Sequence, residues 1–150
     1  MPRLSLDTNI LVYAIDVTHA HKHRQAKELI RRSADADVVL TQQVLGEYLS
    51  VGIRRMSEKV AMLRKSAQQF GLLFPMLTTL PSTLLPAFDR AVRYKLQFWD
   101  SLIVSVCLDN AVTHLFSEDL QDGQLIDGLM ILNPFRSENE HLLETVLSGA

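Results

Sequence analysis

Cysteine is nearly absent. Cys107 stands alone among 150 residues, so no internal disulfide can form and a reducing compartment is expected. No apolar run approaches the roughly 20 residues that a membrane helix needs. The opening, MPRLSLDTNILVYAID, lacks the apolar core and small-residue cleavage site of a secretory signal. A soluble, cytoplasmic protein with no membrane partner is therefore expected. Excess positive charge is missing too: the net charge of -2 argues against gripping nucleic acid by bulk charge. It leaves a nucleic-acid substrate open, because cations held by an acidic cluster would reverse the local sign. Repeats, linkers and low-complexity tracts are also lacking. What remains is 47% hydrophobic and 21% charged, an ordinary globular composition sufficient for one domain over residues 1–150.

The apolar pattern alternates between short runs and helical stripes. Arg3 to Leu6 suits a buried strand that stops at Asp7-Thr8-Asn9, with Thr8 or Asn9 capping a short helix from Ile10. Residues 19–34 form an amphipathic helix. Val38 to Leu40 makes a second strand, and the stripe Val44, Tyr48, Val51 a helix from Gln42 to Met56. Ser57 opens a helix carrying Leu63, Ala67 and Phe70. Pro75 to Leu80 follows as a third strand, and Leu84, Leu85, Phe88, Ala91 and Val92 as a fifth helical stripe with Pro86 in its first turns. Trp99 to Ala111 is a strongly apolar helix, Val112 to Phe116 a fourth strand, Gly128 to Leu132 a fifth, and His141 to Leu147 a terminal helix. Strands alternating with helices predict an α/β domain: a short, mainly parallel sheet of four to five strands between helical layers.

In such a sheet ligands bind beyond the carboxyl ends of the strands, which draws attention to acidic residues there. Asp7 follows the first strand and Asp119 the fourth. Asp100 sits at the start of the Trp99 helix, where the helix dipole favours negative charge. Glu47 lies beside the buried stripe of its helix, where an unpaired charge is expensive. Singly, each has a plain explanation as a turn former, a helix cap or a solvated charge. Brought together by the fold, four carboxylates without matching lysines would repel unless cations lay between them, and hard oxygen ligands suit Mg²⁺ or Mn²⁺. Such a site is suited to phosphodiester hydrolysis. Ser101 and Ser105 have no histidine pattern to activate them as nucleophiles.

The same residues carry a family resemblance. Leu6-Asp7-Thr8-Asn9 resembles the first motif of PIN domains, Gly46-Glu47-Tyr48 their helix glutamate, Phe98-Trp99-Asp100-Ser101 the third acidic motif, and Phe116-Ser117-Glu118-Asp119 the fourth. Asn133-Pro134-Phe135 is similar to the end of the family's last strand. The motifs run in family order across nearly the whole chain, and the subgroup most resembled is the VapC-type toxins of bacterial toxin–antitoxin pairs. The resemblance implies a PIN-like three-layer α/β/α sandwich, endoribonuclease activity dependent on Mg²⁺ or Mn²⁺, a homodimer, and inhibition by a cognate antitoxin protein. It also implies that Asp7, Glu47, Asp100 and Asp119 are catalytic and hold the metal, with Thr8, Asn9 and Ser117 orienting them. Glu118 and Asp122 are alternatives for the fourth acid. The other class of function left open is a non-catalytic RNA- or protein-binding regulatory module on the same fold.

Lesser signals have plainer explanations. His19, His21 and His23 sit at a charged helix start with no further ligand in range, and Cys107 reads as a buried structural thiol. Arg54, Arg55, Arg90, Arg93 and Lys95 are candidates for RNA phosphates, with surface solvation as the default. Leu72, Leu73, Phe74, Phe98 and Trp99 are candidates for an apolar partner surface, with core as the default.

Overall fold

A computed structural model describes residues 1–149. Strand β1 (Leu4–Leu6) lies at the centre, every residue of it buried. It pairs in parallel with β2 (Val38–Thr41) on one side and β4 (His114–Phe116) on the other. Beyond β2 lies β3 (Met76–Leu77), and beyond β4 lie β6 (Leu129–Leu132) and then β5 (Leu125–Ile126), for the order β3-β2-β1-β4-β6-β5. All neighbours are parallel except β5 and β6. The helices are α1 (Thr8–Tyr13), α2 (Ala20–Ser33), α3 (Gln42–Arg55), α4 (Val60–Leu73), α5 (Leu84–Tyr94), α6 (Phe98–Asp109) and α7 (Glu140–Ser148). The expected α/β fold with its mainly parallel sheet is observed.

The sheet has six strands rather than four to five. The additional one, β5, makes a two-residue hairpin with β6 through Asp127-Gly128, both at positive φ (48° and 98°). Aspartate followed by glycine is the pair such a turn favours, so this hairpin had a local signal. The third strand is shorter than Pro75 to Leu80 suggests, because only Met76 and Leu77 find a partner on β2. Helix α1 is capped by Asp7, whose carboxylate accepts from the Thr8 N–H at 2.8 Å, rather than by Thr8 or Asn9. Pro86 is the third residue of α5, where its missing N–H costs nothing.

Burial follows the sheet. Leu4, Leu6, Leu40, Leu115 and Ile131 are fully buried, and α1, α3 and α6 cover them with Ile10, Leu11, Val44, Tyr48, Ile103 and Val104. Cys107 is buried as expected, and burial pushes its thiol up to about 12, so it is unreactive. Helix α5 is the exception. Only Ala87 is buried there, while Leu85, Phe88 and Val92 are more than half exposed.

Helix α3, which carries Glu47, starts from a buried cap at the end of β2. The Thr41 hydroxyl, on a residue 1% exposed, accepts from the Val44 N–H at 3.1 Å. Thr41→Val keeps the shape but strands that N–H, and should cost about 1–2 kcal/mol. Thr41→Ser should retain most of the stability, as urea denaturation of the two variants would show.

Candidate active site

Winding of the sheet reverses between β1 and β4, since the chain leaves β1 for β2 on one side and later returns to β4 on the other. The carboxyl ends of those two strands flank a crevice, the usual ligand position in an open parallel sheet. Asp7 follows β1, and Ser117 and Asp119 follow β4. From neighbouring elements, α3 contributes Glu47 and α6 contributes Asp100 in its first turn. The resulting cleft of about 480 Å³ is lined by Thr8, Asn9, Glu47, Trp99, Asp100 and Asp119, with Arg54 and Arg55 further along.

Asp7 lies behind this lining, 5% exposed. One of its oxygens accepts from the Thr8 N–H and the other from the Ser117 hydroxyl at 2.7 Å. Burial pushes its carboxyl up to about 6; those two hydrogen bonds oppose the shift, and the charges of Asp100 and Asp119 add to it. Asp100 is raised as well, by burial first and then by Asp119 and Glu47. The four carboxylates therefore share one electrostatic neighbourhood. Glu47 is tethered at both oxygens: the Thr8 hydroxyl donates to one at 2.7 Å and the Gln43 amide to the other at 2.8 Å.

The alternatives for the fourth acid are occupied elsewhere. Glu118 accepts from the Tyr13 hydroxyl at 2.7 Å and is also paired with Lys22. Asp122 fastens the loop after β6 by accepting from the Asn133 N–H, the Asn139 amide and the Arg136 guanidinium. Asp119 is exposed, lines the cleft, and has its own N–H directed to the Ser117 hydroxyl at 3.2 Å.

The residues expected to orient the carboxylates divide. Thr8 and Ser117 do so, whereas both amide atoms of Asn9 are buried at the cleft without a protein partner. Arg90 and Arg93 pair with Asp127 away from the cleft, leaving Arg54 and Arg55 as the arginines that line it. His23 donates to the Tyr13 carbonyl at 2.8 Å. Phe74 is core at 2% exposure, while Leu72 and Trp99 are exposed. Gln43 was missed from sequence. Its amide donates to Glu47 and to the Trp99 carbonyl at 2.9 Å, joining α3 to the start of α6. Its position four residues before Glu47 on one helix was the available signal.

The donor set suits a divalent cation in a particular way. Among the described residues no group of three or more His, Cys, Asp or Glu side chains is gathered into a finished metal shell. Hard oxygens, the neighbouring acids that help to raise Asp7 and Asp100, and the orphaned Asn9 amide nevertheless fit Mg²⁺, which keeps several waters and needs only one or two carboxylates directly.

An α/β sheet with an acidic cleft at its switch point defines the class, and sequence comparison defines the family. The chain belongs to the PIN domain family, matching it over residues 4–121. No curated protein matches it by sequence. Among solved structures it is similar to VapC20 of Mycobacterium tuberculosis, described as a toxin that cleaves the sarcin–ricin loop. That match has 19% identity over 77% of this chain and 89% of the other, with a TM-score of 0.64. It is also similar to a toxin–antitoxin complex from Klebsiella pneumoniae (16% identity, 89% and 98% of the two chains, TM-score 0.67). A Pyrobaculum aerophilum protein, PAE2754, is matched at 17% identity over 99% and 98% of the chains, with a TM-score of 0.59. At these identities the likeness is one of fold.

The buried Asp7 sets a pH dependence. Its folded pKa is raised from 3.8 to about 6, so the stability associated with its protonated form is complete below 3.8 and lost as pH rises through 6. In cation-free buffer Asp7→Asn should therefore be more stable than the parent above pH 6, by roughly 3 kcal/mol at most. The difference should shrink toward pH 4; urea denaturation across that range would show it, and a constant difference would refute it.

Proposed function

We propose that the protein is a Mg²⁺-dependent endoribonuclease, with Mn²⁺ as substitute, acting as one PIN-like domain and as the toxin of a VapBC-type pair. The observation that carries the proposal is the convergence of Glu47, Asp100 and Asp119 on one cleft, with Asp7 buried behind it, at the switch point of a PIN fold. These four residues would hold the cation. When bound, it would supply an acidified water and charge stabilisation for the departing oxygen. Ser117 and the Thr8 N–H keep the Asp7 carboxylate fixed, and Thr8 with Gln43 keeps Glu47 turned toward the cleft. Preorganisation of this kind removes the cost of arranging flexible acids during the reaction.

Three partners follow. RNA is the substrate, and the fold neighbours described as toxin–antitoxin complexes support a cognate antitoxin protein. The exposed apolar face of α5, with Leu85, Phe88 and Val92, supports a homodimer. Intracellular RNA as substrate implies a cytoplasmic site of action, and no helix among the described residues is long and apolar enough to cross a membrane. The second possibility is a non-catalytic binding module, favoured by one observation: Asp7 and Glu47 already have protein donors at both oxygens.

Asp7→Asn and Asp100→Asn should each nearly abolish Mg²⁺-dependent cleavage of RNA while the fold persists. Ser117→Ala should lower cleavage about 10- to 100-fold through the loosened Asp7. Asp122→Asn should lose stability but keep its activity. Full cleavage by folded Asp100→Asn would remove the catalytic assignment; absent Mg²⁺ binding with intact RNA would favour the non-catalytic module. Growth arrest on induction, relieved by co-expressing the neighbouring open reading frame, would test the toxin assignment.

A further inference from the structure

Trp99, the chain's single tryptophan, is 57% exposed and lines the acidic cleft one residue from Asp100. A large aromatic left in water beside an acidic cluster has no role in the core. Its position is nonetheless fixed. Its carbonyl accepts from Gln43 at 2.9 Å, and the Phe98 ring meets it edge-on with centroids 5.1 Å apart.

The cleft continues along α3. Gln43, Glu47, Ser50 and Arg54 follow one another at helical spacing on one face, and the last three line the cleft together with Arg55. At 1.5 Å per residue, Gln43 to Arg54 spans about 16 Å. Neither Arg54 nor Arg55 forms a salt bridge within the described residues, although the charge of Arg55 reaches Asp16 at the cleft edge. An aromatic plane at one end, carboxylates in the middle and exposed guanidiniums at the other match a strand with a free base face and a charged backbone.

We propose that Trp99 is the stacking platform for an unpaired base of single-stranded RNA, with Arg54 and Arg55 receiving its phosphates. The proposal rests on the ribonuclease function and adds to it a specificity-determining residue. In an A-form duplex the bases are stacked inside the helix and cannot lie on Trp99, so the substrate must be unpaired at that nucleotide. Its phosphate chain would then cross the carboxylates on the way to the arginines.

With one tryptophan, fluorescence excited selectively at the indole, and not at the three tyrosines, reports on Trp99. The full chain is titrated with a short oligoadenylate, and separately with its blunt duplex with oligouridylate. Ca²⁺ replaces Mg²⁺ in these titrations, and Mg²⁺-supported cleavage is followed in parallel. The single strand should quench Trp99 and the duplex should not. Trp99→Ala should weaken single-strand binding, measured by filter retention, on the order of 10-fold, with Trp99→Phe restoring most of it. Arg54→Ala should reduce the salt slope of binding by about 0.7, the value of one phosphate contact on a single strand. Quenching that persists in a preparation unable to cleave supports the stacking role and rejects only the ribonuclease function. Cleavage without quenching, equal quenching by the duplex, unchanged binding by folded Trp99→Ala, or no binding of the single strand overturns the proposal. Fluorescence unmoved by either nucleic acid overturns it as well.

Discussion

The cleft depends on a buried carboxylate at the end of the central strand. Asp7 is where β1 stops and α1 starts, so one side chain both caps a helix and lies buried directly behind the acidic crevice. The Ser117 hydroxyl ties it to the end of β4, 110 residues away in sequence. Burial and like charges oppose its ionisation, yet two donors are arranged to favour it. Such opposed influences are common at functional sites, where a group is held in a state that solvent alone would not favour.

Around that residue the fold acts as a positioning device. Parallel pairing of β1 with β2 and β4 sets three strand ends side by side, and acids reach the gap from the helix after β2, from the loop after β4 and from the first turn of the helix that precedes β4. Glu47 arrives on α3 because Thr41 starts that helix at the end of β2, and Asp100 arrives on the first turn of α6. Gln43 then braces α3 against the start of α6, so two acids on different helices share one support. The loop after β4 sorts three neighbouring acids by their partners. Glu118 turns to Tyr13 and Lys22, Asp122 fastens the loop after β6, and Asp119 remains at the cleft.

Much of this was legible in the sequence because it rests on local signals. Short apolar runs ending in polar triplets located β1 and β4, and the Val44, Tyr48, Val51 stripe placed Glu47 at the edge of a buried face. The less legible parts depend on contacts distant in sequence. Nothing local distinguishes Asp119 from Glu118, since the difference lies in a tyrosine 105 residues away. The exposed stripe of α5 looked like any other apolar helix face, because periodicity shows that one face is apolar and not what covers it. The β5–β6 hairpin was different. Its Asp127-Gly128 signal was present but brief, and β5 is only two residues long.

The most direct measurement is a carbon-13 NMR titration of the Asp7 side-chain carboxyl, first without divalent cation and then with Mg²⁺. A midpoint near 6 in the cation-free protein is predicted from its burial, moving into the ordinary carboxylate range when Mg²⁺ is added. An ordinary midpoint at the outset, or one near 6 that Mg²⁺ leaves unmoved, would contradict the assignment of Asp7 to a cation-holding cluster.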